Sequence, residues 1–273
     1  MENLDPAVVA AFGCEWRKFN HGDADQHEMR RTFETYFAIF PWGKLAVDAE
    51  GFDLGCGTGR WANFVALRVG KLHCIDPSEA LGVARERLAQ HSNCVFHQTS
   101  VDSMPLVDSS MDFGYSLGVL HHCPDTPAAV AACVRKLKPG APLLLYLYYA
   151  FDNRPAYFRV IWKVSDYLRR LISRLPFAVK APLCELLALL VYWPLARTAK
   201  LLETIGLRVD NLPLSAYRGR SFYAMRTDCL DRFGTRLERR FTRRQITEMM
   251  EAAGLENIVI SEDVYWCAVG YRR

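Results

Sequence analysis

The stretch Asp53-Leu54-Gly55-Cys56-Gly57-Thr58-Gly59 sets three glycines at every second position, behind an acid and ahead of the apolar run that begins at Trp61. Glycine costs backbone entropy, so such a cluster belongs where a ligand lies against the main chain or where φ must be positive. A strand, a glycine turn and a helix in succession expose backbone N–H groups at the carboxyl edge of a parallel sheet, which makes a ligand site. His121 and His122 stand together further on, and an imidazole at such an edge can take a proton from an oxygen or amine nucleophile. The alternative for this pair is that one ring caps the next helix and the other packs beneath a ligand.

Glycine spacing separates two ligand classes. The dinucleotide turn reads G-x-G-x-x-G, whereas here the third glycine comes one residue early and is followed by Arg60 and Trp61. That spacing is wrong for a dinucleotide.

The elements that must position these residues are legible as a pattern. From Phe52 to Tyr149 strand-sized apolar runs alternate with helical patterns, which predicts crossover connections and an α/β fold: a mostly parallel, Rossmann-like sheet with helices on both faces. Lys138-Pro139-Gly140 reads as a helix stop before the next strand. Residues 150–240 change character to helices broken by Pro155, Pro176, Pro182, Pro194 and Pro213, and the first pattern then resumes. The expected organisation is an N-terminal helical cap over 1–50, a core formed by 51–149 and 241–273, and a helical insertion over 150–240 that covers the substrate site.

With 273 residues, 51% of them hydrophobic, the chain can bury a full core. Nine cysteines with no C-x-x-C pair fit neither a regular disulfide framework nor a zinc ribbon, and nothing in the pattern calls for a metal. A reducing, cytoplasmic setting is the expectation, since the opening MENLDPAVVAAFG lacks a basic region leading into a long apolar one. The apolar run Leu186–Ala196 is expected to be too short to span a bilayer and to form a buried or interfacial helix. Arginines crowd Arg154–Arg174 and Arg218–Arg244, but the net charge of only +4 and the lack of a separate RNA-binding module speak against nucleic acid as a partner.

The loop matches D-x-G-x-G-x-G, and from Phe52 through its last strand the sequence resembles the class I S-adenosylmethionine-dependent methyltransferases, in their ubiquinone-biosynthesis-like (type 11) branch. Further matching segments are HCIDPS, VDSMPLVDSSMDFGYSLGVLHHCPD, LKPGAPLLLYLYY and FTRRQITEMMEAAGLENIVI. The resemblance implies S-adenosylmethionine as cofactor, held by Asp53, Gly55, Cys56, Gly57 and Gly59 of the loop, with Cys56 as a small filler. It implies that Asp76, followed by Pro77, binds the ribose hydroxyls, a role that suits a carboxylate because it accepts two hydrogen bonds. The family's adenine-contacting acid falls at Ser100, with Val101 next and Asp102 in reserve, and Leu117 closes the fourth strand. His121 or His122 would orient or deprotonate the acceptor.

Trp16 and Phe19 are expected on one helical face, either as an apolar lid or as simple core packing. Tyr148, Asn153 and Arg154 open the insertion as aromatic wall and polar contacts for a small, partly apolar or aromatic acceptor, a composition that also fits simple packing onto the sheet. Other acceptor classes are a membrane-dissolved quinone or lipid, with peripheral membrane contact through 183–200, or RNA. A partner-binding relative without activity is the non-enzymatic reading. Oligomeric state and the methylated atom are not written in the sequence.

Overall fold

Asp5 opens the first helix, α1 (Pro6–Lys18): its carboxylate accepts from the Ala7 and Val8 N–H groups, and Pro6 occupies a first-turn position where no N–H is missed. The computed structural model describes residues 3–22, 24–152, 154–262 and 266–273. After α1 come α2 (Gln26–Tyr36), β1 (Glu50–Leu54), α3 (Ala62–Val65), β2 (Lys71–Ile75), α4 (Ala80–Arg87), β3 (Cys94–His97), β4 (Phe113–Leu117), α5 (Thr126–Lys136) and β5 (Pro142–Tyr146). Four helices follow, α6 (Ala156–Ile172), α7 (Phe177–Leu187), α8 (Trp193–Thr204) and α9 (Phe222–Gly234), before α10 (Arg243–Ala252), β6 (Leu255–Ile260) and β7 (Cys267–Arg272).

Contacts divide the chain into a unit of residues 1–21, 29–150 and 237–273 and a second unit of 22–28 and 151–236. The first holds a seven-stranded sheet in the order β3-β2-β1-β4-β5-β7-β6. β1 to β5 are parallel, and β7 runs antiparallel to both β5 and β6. The architecture is therefore the α/β, Rossmann-like one expected. Strand order reverses between β1 and β4, and the carboxyl ends of those two strands flank the crevice where such sheets bind ligands.

Alternate residues of each strand feed the two sides of the sheet. Leu144 and Tyr146 of β5 join Phe37, Trp61, Leu81 and Tyr115 on one face. Leu143 and Leu145 join Phe52, Ile75, Val130 and Met250 on the other. Burial on both faces is why these strands read as nearly continuous apolar runs. The crossover helices are shorter than the sequence suggests: α3 has 4 residues and α4 has 8. After α3 a 3₁₀ turn over Ala66–Arg68 gives way to extended Val69, and the Gly70 and Lys71 N–H groups both reach Ala49 O, so sheet pairing claims the chain early.

The second unit is helical. α7, a π turn over Ala188–Tyr192 and α8 form one 28-residue helix from Phe177 to Thr204. The expected breaks at Pro182 and Pro194 do not occur: Pro182 sits inside α7, and the π turn just ahead of Pro194 re-phases the ladder where the proline N–H is missing. By length and composition this helix could cross a bilayer, which corrects the expectation drawn from Leu186–Ala196 alone. Lys180, Ala181, Cys184, Ala188, Tyr192, Ala196 and Ala199 are its buried residues, and the Cys229 thiol of α9 donates to Cys184 O at 3.3 Å.

Candidate cofactor and acceptor site

Every residue that the first unit contributes comes from the carboxyl end of a parallel strand or from a segment folded onto it. After β1 the loop turns through Gly55, Gly57 and Gly59, with φ of 76°, 53° and 71°. A Cβ on Gly55 would stand 2.3 Å from Val119 Cγ2, and one on Gly59 2.8 Å from Leu88 Cδ1, so both sites combine positive φ with no room. The Gly55 and Cys56 N–H groups bond Ile75 O at 2.7 and 3.1 Å, pinning the loop to the end of β2. Cys56 is buried, and burial pushes its thiol up to about 11, so it is a protonated packing group at neutral pH.

Asp76 stands just after β2. Its Oδ2 accepts the Gly57 N–H at 2.9 Å, and its Oδ1 accepts the Ser78 N–H at 2.8 Å and the Ser78 hydroxyl at 2.6 Å. Three of about four lone-pair positions are used, and rotation of the Ser78 hydroxyl would free another, which leaves a diol a place to dock. Pro77 beside it is half-buried. Burial raises the Asp76 carboxyl above its ordinary range. Asp53 accepts the Tyr115 hydroxyl at 2.9 Å and is pushed up to about 8, chiefly by burial and further by the Asp76 charge.

After β3, Ser100 and Val101 are both buried, and Ser100 Oγ has no hydrogen-bond partner among the described residues. Asp102 is exposed and accepts the Asn3 N–H. The two adenine-edge candidates thus differ in kind, and only Ser100 offers a buried polar atom still to be satisfied. Leu117 ends β4 at 7% exposure.

Beyond Leu117 a 3₁₀ turn over Leu120–His122 carries the histidine pair. His121 is fully buried, stacks on Tyr148 at 3.8 Å between ring centroids, and has no partner for either ring nitrogen among the described residues. Burial, with His122 and Arg240 nearby, holds it well below the usual imidazole range, so it stays neutral and makes a poor base. His122 Nδ1 lies 2.6 Å from Leu237 O. A carbonyl only accepts, so Nδ1 carries the proton and Nε2 the lone pair. His122 therefore has the tautomer a base requires.

α1 folds onto this edge. The Trp16 indole nitrogen is 3.5 Å from where a Gly57 Cβ would be, and Phe12 meets Trp16 on one side and the His122 ring, at 5.0 Å, on the other. Phe19 does not share the Trp16 face: it is the buried, non-helical residue after α1.

Tyr148, half-buried after β5, is placed against the histidines. Arg154 lies in the second unit, donating to Asp210 O at 2.6 Å, and Asn153 falls outside the described residues. Sequence reasoning missed the segment 237–241. Arg239 N–H donates to His121 O, Phe241 N–H to Tyr148 O, and Arg240 lies over the Tyr148 ring at 5.0 Å while paired with the Glu238 carboxylate at 2.8 Å. No local signal marks these residues, because their role arises from contacts more than ninety positions away. Among the described residues no cluster of His, Cys, Asp or Glu is placed to hold a metal ion.

Residues 52–145 match the family model described as a methyltransferase domain. The malonyl-[acyl-carrier protein] O-methyltransferase of Serratia marcescens is 34% identical over 93 residues, covering 34% of this chain and 35% of that protein. The ubiquinone biosynthesis O-methyltransferase of Idiomarina loihiensis is 33% identical over 156 residues, covering 52% and 60%. The first curated relatives are matched over about a third to a half of their own length. Among solved structures, a Thermotoga maritima S-adenosylmethionine-dependent methyltransferase superposes with a TM-score of 0.52 at 15% identity, covering 96% of this chain and 100% of that one. This last likeness shows the fold.

Proposed function

We propose, from the premise that residues 52–145 are a class I S-adenosylmethionine-dependent methyltransferase domain, that the protein transfers a methyl group to an oxygen of a small, partly apolar acceptor. The observation that carries the reading is the convergence of the glycine loop, Asp76, Ser100 and the His121–His122 pair at the carboxyl edge of four adjacent parallel strands, with buried polar atoms of Ser100 and His121 unsatisfied among the described residues. Oxygen as the methylated atom is suggested by the two named relatives, both O-methyltransferases.

The residues present fit that cofactor. Asp76 would accept from the ribose, the Ser100 hydroxyl would meet the adenine edge, and the three glycines would let the donor lie against the main chain. When bound, the sulfonium supplies a methyl carbon with a good leaving group, so alignment and exclusion of water are most of what the protein must add. His121 and Tyr148 form a stacked wall that keeps water out. Where the acceptor oxygen is a hydroxyl, His122 Nε2 takes the proton it loses, and the Nδ1–H bond to Leu237 O stabilises the imidazolium that results; a carboxylate acceptor is already ionised and needs only alignment.

The test is transfer of isotopically labelled methyl from S-adenosylmethionine to a panel of phenols and carboxylic acids. Label should appear as an ether or ester, and His122→Gln should lower kcat toward hydroxyl acceptors by about 10²-fold while leaving S-adenosylhomocysteine affinity unchanged. Label found on nitrogen, carbon or sulfur instead, or full activity of His122→Gln toward a hydroxyl acceptor, would overturn this assignment.

A further inference from the structure

Eighteen of the 23 large exposed apolar side chains among the described residues lie between Tyr157 and Leu207, all within the second unit. A soluble surface scatters such residues singly, so this concentration calls for a partner. On α6 they form a stripe: Tyr157, Ile161, Val164, Leu168 and Leu171 recur at intervals of four and three, one face of a helix, and each is exposed by 42% or more. Asp166 and Arg169, on the far side of the helix, are buried. The 28-residue helix from Phe177 to Thr204 adds exposed Leu186, Leu189, Leu190, Trp193 and Leu201.

Charge identifies what covers this surface. Arg159, Lys163 and Arg170, spaced by four and seven, run along one flank of the α6 stripe, Arg174 follows just past the helix end, and all four are exposed. The single acid of α6, Asp166, is buried and bound by Arg169 and Arg170 at 2.7 and 2.9 Å. On the longer helix Glu185 is paired with Arg226 and Glu203 with Arg218. The exposed charge on α6 is thus wholly positive beside a continuous apolar stripe, with Tyr157, Tyr167 and Trp193 as amphipathic rings. That pattern complements an anionic lipid surface.

We propose that residues 156–207 form a membrane-docking surface that lies in the plane of an anionic phospholipid bilayer, the apolar faces at the acyl boundary and the basic flank of α6 on the headgroups. In-plane binding is favoured over spanning because the longer helix is tied to its own unit. Lys180 Nζ donates to Gly234 O at 2.8 Å, and Arg197 to Arg218 O and Arg220 O at 3.1 Å. A spanning helix would forfeit these bonds and carry Lys180, Arg197 and Lys200 toward hydrocarbon, where basic groups are costly. Self-association through α6 would bring the like-charged flanks of two copies together.

The proposal does not depend on the methyl-transfer reading, and sedimentation of the full chain with vesicles tests it alone. The protein should pellet with phosphatidylglycerol-rich vesicles and not with pure phosphatidylcholine, and added salt should weaken binding. Arg159→Glu with Lys163→Glu should weaken it by roughly fivefold or more per residue. Val164→Glu with Leu168→Glu should abolish it, with circular dichroism and melting unchanged because both sites are exposed. Four results would overturn the proposal. These are no pelleting with the anionic vesicles, binding indifferent to both double variants, a dimer in lipid-free buffer that Val164→Glu with Leu168→Glu dissociates, or resistance to extraction by alkaline carbonate, the mark of a spanning helix.

Discussion

The stability gap between Asp53→Asn and the wild type is expected to widen by about 5 kcal/mol as pH rises from about 4 to about 8 in the ligand-free protein. Asp53 is 2% exposed, and its pKa moves from 3.8 to about 8, first through burial and then through the Asp76 charge, against the opposing Tyr115 hydrogen bond. The folded state therefore holds this proton more tightly than the unfolded chain does. Its contribution to stability is complete below the unfolded value and is lost as pH rises toward the folded one, at about 1.4 kcal/mol per pH unit. Asparagine has no proton to lose and can still accept from the Tyr115 hydroxyl. The wild-type curve alone would hide this slope, because His21, lowered to about 2, and His121, lowered well below 6.5, act in the opposite sense. Their neutral folded forms make stability fall as pH drops below 6.5. Urea melts of both proteins across pH isolate the Asp53 term, and parallel curves would contradict it.

Gly55→Ala is expected to cost about 4 kcal/mol, against about 1 kcal/mol for Gly140→Ala. The two glycines share their backbone conformation, with φ of 76° and 78°. They differ in space: a Cβ on Gly55 would stand 2.3 to 2.8 Å from three side-chain atoms of Val119, whereas nothing lies within 4 Å at Gly140. The first substitution adds overpacking to the strain of a left-handed residue, and the second adds strain alone. Because Val119 leads directly into the histidine turn, Gly55→Ala should also disturb the acceptor side. Equal losses in parallel denaturant melts would mean that Val119 moves aside freely.

The sheet was legible because its signals are local. The glycine loop, the acid after β2 and the Lys138-Pro139-Gly140 stop each depend on a few neighbouring residues; α5 ends at Lys136, and Gly140 takes a positive φ in the Lys138–Ala141 turn that leads into β5. Ser100 was legible only through resemblance, and its difference from Asp102 emerges from burial, which no spacing encodes. The helix through Pro182 and Pro194 was misread because prolines stop a helix by default, while a π turn packed against α9 can absorb one. The Glu238–Arg240 pair beneath Tyr148 and the tautomer of His122 were not legible at all. Both depend on the chain returning from residue 236 to the sheet edge, a long-range contact with no periodicity of its own.

Isothermal titration with S-adenosylhomocysteine, run beside NADH on the wild type and on Asp76→Ala, tests the central claim most directly. Asp76 accepts the Gly57 N–H across the glycine loop, and it is the carboxylate assigned to the ribose diol. The predicted result is saturable S-adenosylhomocysteine binding by the wild type, about 10²-fold weaker in Asp76→Ala through the loss of hydrogen bonds to a charged acceptor, with no heat from NADH. Binding of NADH, or no binding of S-adenosylhomocysteine to a wild-type protein that melts cooperatively, would contradict the assignment of this loop to a methyl donor.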